Sequence, residues 1–167
     1  MSVKTRKIAV VGSRAVGKSS MTVRYVEDHF VEKSRIRYKV LDTAGQDEYS
    51  MMNEKHLVGI HGYLLVYSVT SRQSFELVEF IRDKILNSIG NENIPMILIG
   101  NKRDLTYQRQ VEESEGAELA QKFKCRFLET SVKENYHIKE AFEGLIDRIE
   151  RIQNPPVVKK EDKCVII

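Results

Sequence analysis

Short apolar runs alternate with longer amphipathic stretches along this chain. Residues 7–11 (KIAVV) form a β-branched run that ends at Gly12, and residues 38–41 (YKVL) stop at Asp42. Residues 62–69 (GYLLVYSV) and 94–99 (IPMILI) are richer in apolar side chains, and residues 126–129 (RFLE) give a shorter candidate. Near-continuous apolar runs suit strands buried on both faces, as in a parallel sheet with helices on each side.

Helical patterns fill the spaces between these runs. Residues 18–28 follow the first strand. Phe75, Val78, Ile81, Ile85 and Ile89 recur at spacings of three and four after Ser74. Thr70 and Gln73 fit a capping box ahead of that helix, and Gly90 fits its stop. Residues 111–123 are more weakly periodic. Ile138, Phe142, Leu145, Ile149 and Ile152 form a strong stripe that Pro155-Pro156 end. The β-α alternation predicts an α/β three-layer fold over residues 1–154, with a flexible tail over 155–167.

Composition changes this picture little. With 167 residues, 41% hydrophobic and 31% charged, the chain has the makeup of one ordinary globular domain. A net charge of +3, scattered rather than blocked, gives no case for a nucleic-acid partner. Two cysteines, Cys125 and Cys164, build no disulfide framework or metal motif, and His29, His56, His61 and His137 fall into no ligand spacing. The start, Met1-Ser2-Val3-Lys4, resembles neither a signal peptide nor a myristoylation site. No apolar run reaches membrane-spanning length, so a cytoplasmic protein is expected unless a lipid holds it to a membrane.

Chemistry enters at the end of the first strand. Residues 12–19 (GSRAVGKS) match G-x-x-x-x-G-K-[ST] in full, with a strand before and a helix after. Glycines let the backbone close around phosphate oxygens, and a helix N-terminus adds positive potential. The expected nucleotide contacts are Arg14, Ala15, Val16, Gly17, Lys18, Ser19 and Ser20. Lys18 reaches the β- and γ-phosphates, and the Ser19 hydroxyl binds Mg²⁺. This motif does not tell ATP from GTP.

The sequence after residues 94–99 does. Asn101-Lys102-Arg103-Asp104 follows that strand, beyond its carboxyl end, where ligands bind in α/β sheets. Asp104 can accept from N1–H and the 2-amino group of guanine. Adenine offers neither donor, and the mismatch costs on the order of several kcal/mol. Asn101 can bridge the loop and the base, and the Lys102 stem can lie over the ring. Residues 129–133 (ETSVK) follow the last strand; backbone N–H groups of Ser131, Val132 and Lys133 can donate to guanine O6.

The order GSRAVGKS, DTAGQ, NKRD, ETSVK resembles the Ras superfamily of small GTPases over nearly the whole chain. Arg14 within the loop, residues 42–50 (DTAGQDEYS) and residues 62–71 (GYLLVYSVTS) resemble its Rheb branch. Val132 stands where the family usually has Ala, and a backbone contact tolerates the change. The resemblance implies GTP and GDP as ligands, Mg²⁺ as cofactor and a P-loop NTPase fold. It makes Asp42 a Mg²⁺ contact through water, Gly45 a sensor of the γ-phosphate through its N–H, and Gln46 the residue that orients the attacking water; Lys18 completes the catalytic set. Arg14, where many relatives have Gly, crowds the γ-phosphate and an incoming arginine finger. The expected unaided rate is on the order of 10⁻⁴ s⁻¹ or slower, the scale typical of the superfamily.

One segment departs from the family. Phe30 matches the residue that stacks on the guanine edge, with Val31 beside it. The family then has a loop whose Thr binds Mg²⁺ and the γ-phosphate, followed by an antiparallel edge strand. Here eleven residues separate Phe30 from Asp42, and none is Thr. Five strands rather than six are therefore expected, and the usual first switch is missing. The seven residues 31–37 reach at most about 25 Å. Two readings share every motif: a slow GTP hydrolase that signals in growth control through an effector kinase complex, and a guanine-nucleotide-binding or sequestering protein that does not switch.

The C-terminal Cys164-Val165-Ile166-Ile167 fits C-a-a-X, so Cys164 is the expected prenylation site, with geranylgeranyl favoured over farnesyl by the final Ile. One chain with little basic support gives reversible binding, suited to the cytoplasmic face of an endomembrane and to a prenyl-binding carrier. The remaining expected partner is a GTPase-activating protein, and a monomer is the expected state.

Overall fold

The computed structural model describes residues 4–28, 36–42 and 59–153. Strand β1 (Lys4–Gly12) leads into helix α1 (Lys18–Asp28), and β2 (Ile36–Asp42) follows. After β3 (Gly62–Ser68) come α2 (Arg72–Ile89), β4 (Met96–Asn101), a 3₁₀ turn (Thr106–Gln108), α3 (Glu113–Phe123), β5 (Arg126–Glu129) and α4 (Ile138–Gln153). The five strands form one sheet in the order β2-β1-β3-β4-β5, and every neighbouring pair is parallel. Among the described residues the expected α/β architecture with five strands is thus observed.

Burial explains the continuous apolar runs. Ile8, Val10, Leu64, Val66, Ile97 and Ile99 point to one face, where Met21 of α1 and Phe142 and Leu145 of α4 cover them. Ala9, Val11, Tyr63, Leu65 and Leu98 point to the other, under Val78, Ile81 and Ile85 of α2 and Ala120 and Phe123 of α3. In β3, β4 and the Ile8–Gly12 part of β1 both residues of each alternating pair are buried, whereas the edge strands keep exposed positions at Lys39, Leu41 and Arg126. Tyr25 of α1 stacks on Phe142 of α4 at 4.4 Å between centroids, locking the two helices together.

Boundaries differ from the sequence expectation in instructive ways. The N-cap of α2 is Ser71, whose side chain accepts from the Ser74 N–H at 3.1 Å; Thr70 instead shares a hydrogen bond with Ser68. Gly90 does end α2, in the left-handed conformation at φ 69°. A true capping box opens α3, where Glu112 and Glu115 reciprocate. Strand β4 starts at Met96, because Pro95 has no N–H to give the ladder. The α4 stripe stops at Ile149; Ile152, in the last turn, is 50% exposed.

Candidate functional site

The carboxyl ends of β1, β3, β4 and β5 place three loops side by side. Parallel register sets Gly12 opposite Val66, Ser68 opposite Asn101, and Gly100 opposite Glu129. The loop after β1, the loop after β4 and the loop after β5 therefore converge on one rim, as open α/β sheets require of a ligand site.

The first loop is shaped by what it lacks. A Cβ on Gly12 would lie 2.1 Å from the Val66 carbonyl oxygen. A Cβ on Gly17 would lie 2.3 Å from Asn101 Nδ2, at a φ of 95° that favours glycine. Between them Ala15 holds φ 62°, a left-handed conformation costing a non-glycine residue of order 1 kcal/mol. No backbone N–H of residues 14–17 meets an internal backbone acceptor among the described residues. These groups form the concave donor array that phosphate oxygens fit. Arg14 and Ala15 are exposed at its lip, and Ser20 lies exposed on the first turn of α1.

Lys18 is buried at the centre. Its ammonium donates to the carbonyls of Gly12 at 2.6 Å and Ser13 at 2.8 Å, and the residue is 5% exposed. A buried cation held this way presents positive charge to the loop interior. Ser19, half-buried, follows it at the helix start.

The second and third loops are cross-linked to the first. Asn101, 1% exposed, donates from Nδ2 to the Val16 carbonyl at 2.8 Å. Its Oδ1 accepts from the Thr130 hydroxyl at 2.9 Å. Lys102, at φ 66°, donates from Nζ to the Ala15 carbonyl at 2.7 Å. Asp104 Oδ1 accepts from the Ser131 hydroxyl at 2.7 Å, which fixes the carboxylate. The Ser131 N–H donates to the Tyr136 carbonyl and the Tyr136 N–H to that of Ser131. The Ser131 N–H, expected to face guanine O6, is thus engaged within the loop; its hydroxyl instead orients Asp104. The N–H groups of Val132 and Lys133 have no internal backbone acceptor among the described residues.

Of the two expected Mg²⁺ contacts, the structure describes the side chain of Ser19, half-buried in the first turn of α1. Asp42 ends β2 in register with Val10, two residues ahead of Gly12, so its backbone stands beside the phosphate loop that precedes Ser19. Phe30, Val31, Gly45, Gln46 and Cys164 lie outside the described residues, as does the side chain of Asp42.

Sequence reasoning missed two supports. Glu129 is buried at the end of β5 and receives both terminal nitrogens of Arg109, at 2.8 and 2.9 Å. Arg103 stacks on the Tyr136 ring, its guanidinium carbon 4.3 Å from the centroid. The one available signal was a charged residue closing a short strand.

Comparison with known proteins agrees with this geometry. A family model described as Ras family matches residues 7–36 and 31–151. The Small monomeric GTPase RhbA of Aspergillus fumigatus is 50% identical over 182 aligned positions, covering 98% of this chain and 97% of that protein. GTP-binding protein rhb1 of Schizosaccharomyces pombe is 49% identical, covering 98% of each. GTP-binding protein Rheb of Homo sapiens is 40% identical, covering 89% of this chain and 90% of that protein. The first alignment spans 182 positions against 167 residues, so at least 182 − 167 = 15 positions have no residue in this chain. The two family-model matches overlap at residues 31–36, which run from the connection after α1 into the first residue of β2, where the sequence is short of the family pattern.

Proposed function

The chain belongs to the Ras family of small GTPases, and on that premise we propose that it is a Rheb-like GTP hydrolase of low intrinsic rate, anchored by a lipid and acting in growth control. The observation that carries the reading is Asp104, fixed by the Ser131 hydroxyl on the same rim as the phosphate loop. A carboxylate there selects guanine, and a loop of free N–H groups holds the phosphates.

In this reading Lys18 turns from the Gly12 and Ser13 carbonyls to phosphate oxygens. The N–H groups of residues 14–17 orient the β- and γ-phosphates. Ser19, and Asp42 through a water, would hold Mg²⁺, which would supply positive charge to the phosphate oxygens. Gln46 orients the attacking water and the Gly45 N–H meets the γ-phosphate. Arg14, exposed at the lip, obstructs a finger residue from a GTPase-activating protein, so such a partner supplies another group. The shortened segment between α1 and β2 narrows the surface open to an effector kinase complex.

A prenyl chain on Cys164 places the protein on the cytoplasmic face of an endomembrane and makes it cargo for a prenyl-binding carrier. No helix of the described residues is long and apolar enough to cross a membrane.

The test is single-turnover GTP hydrolysis with Mg²⁺ by the wild-type chain and by Gln46→Leu. A slow rate in the wild type that Gln46→Leu abolishes supports the reading. Binding with no hydrolysis in either overturns it in favour of a non-switching nucleotide-binding protein.

A further inference from the structure

Behind the base site lies an ion pair that touches no base contact directly. The Glu129 side chain is 3% exposed and that of Arg109 is 16% exposed. Arg109 Nη1 donates to Oε2 at 2.8 Å and Nη2 to Oε1 at 2.9 Å, a bidentate fork. The same Nη1 donates to the Val111 carbonyl at 2.8 Å, and the Arg103 Nε lies 3.8 Å from Oε1. The Glu129 carbonyl faces His137 Nδ1 at 3.1 Å; a carbonyl only accepts, so Nδ1 carries the proton.

These partners belong to the two base loops. Arg103 sits between Lys102 and Asp104, and its guanidinium covers Tyr136, whose backbone closes the loop of Ser131. Thr130 and Ser131, which bond Asn101 and Asp104, directly follow Glu129. One carboxylate therefore fixes the start of the β5 loop and draws in Arg103 and Arg109 from the β4 loop. Its two oxygens are satisfied by cations that come from the neighbouring loop rather than from its own strand.

We propose that the Arg109–Glu129 pair positions Asp104 and Asn101 for guanine, and so sets the residence time of the nucleotide and the discrimination of its base. The claim rests on guanine-nucleotide binding by this site. Glu129 and Arg109 are positioning residues. They act through Thr130, Ser131 and Arg103 in the way outer partners orient metal ligands. Loss of either leaves a buried charge without its partner and loosens both loops together.

The experiment measures dissociation of a fluorescent GDP analogue from the full chain by stopped flow, with melting temperature and relative affinity for inosine diphosphate alongside. Inosine lacks the 2-amino group that Asp104 reads. Glu129→Gln and Arg109→Met are expected to raise the off-rate by about tenfold or more and to narrow the preference for GDP over inosine diphosphate. Arg109→Lys, which keeps the charge and loses the fork, is expected to fall between. The double variant Arg109→Met/Glu129→Leu replaces the pair with apolar groups and regains much of the melting temperature. Its off-rate is expected to stay raised. Recovery of melting temperature and off-rate together would make the pair structural and overturn the proposal. Unchanged off-rates and base preference in the single variants would overturn it as well, with nucleotide binding left standing. A wild-type chain that fails to bind GDP would overturn both.

Discussion

The side-chain amide of Asn101 donates to the Val16 carbonyl at 2.8 Å, joining residues 85 positions apart in sequence. With its Oδ1 on the Thr130 hydroxyl, the same side chain spans all three loops of the site. The loops after β1, β4 and β5, proposed to hold the phosphates and the base, are thus a single hydrogen-bonded unit. Removing a partner from a buried pair costs about 1–3 kcal/mol. Asn101→Ala is therefore expected to weaken GDP binding by roughly 5- to 150-fold, with losses in both phosphate and base contributions. Calorimetric titration with GDP, and with pyrophosphate as a probe of the phosphate half alone, checks this. A loss confined to GDP, with pyrophosphate binding unchanged, would deny the link to Val16.

Base preference offers a sharper test. Asp104 accepts from Ser131 through Oδ1, and Oδ2 has no protein donor among the described residues. Asp104→Asn puts an NH₂ donor where guanine also presents donors. Guanine nucleotides are expected to lose at least about 100-fold in affinity, while xanthine nucleotides, with a 2-oxo acceptor, gain relative to them. Competition between GDP and xanthosine diphosphate reads the reversal directly.

Gly17 faces two constraints, a φ of 95° and an added Cβ 2.3 Å from Asn101 Nδ2. Gly17→Ala is expected to lower stability by about 1–3 kcal/mol and to displace Asn101 from Val16, so nucleotide affinity falls with it. Gly90→Ala is the control. Its φ of 69° carries the backbone cost, but a Cβ there meets nothing within 4 Å. Only stability should fall in that variant, measured by thermal melting beside GDP titration.

Much of this site is legible in sequence because its motifs carry backbone requirements. Gly12, Gly17 and Gly90 mark positions where a side chain is excluded or strained, and Asn101 and Asp104 follow a strand whose end must meet the ligand. The helix stop at Gly90 was readable for the same reason. The cap at Ser71 was not, because Thr70 and Ser71 are chemically alike and only geometry sets which one meets the Ser74 N–H. The Arg109–Glu129 pair was hidden for a different reason. Twenty positions separate its members, and each alone reads as a surface charge. A parallel sheet covered on both faces was legible from the apolar runs, while Ile152 was placed in the stripe by periodicity that outruns the core.

Acid stability carries one local signature. The Arg72 guanidinium bonds Glu115 at 2.8 and 2.9 Å, and this, with the Glu112 N–H, holds the Glu115 carboxyl down to about 2. A carboxylate lowered on folding stabilises above its unfolded value near 4.5, and that contribution is lost as pH falls toward 2. Arg72→Met is expected to return Glu115 toward 4.5 and to flatten its share of the acid dependence across that window. An NMR titration of the Glu115 side chain decides it, an unshifted midpoint in the variant being the contrary result.

Guanine nucleotides are expected to be held through the three cross-linked loops although the chain is short between α1 and β2. Titration of GDP and GTP into the purified chain, with Mg²⁺ and with Mg²⁺ chelated, tests it most directly. Tight binding of both nucleotides, with GTP strongly helped by Mg²⁺ and ATP excluded, is the expected result. Weak binding of both that is indifferent to Mg²⁺, or equal binding of ATP, would contradict it.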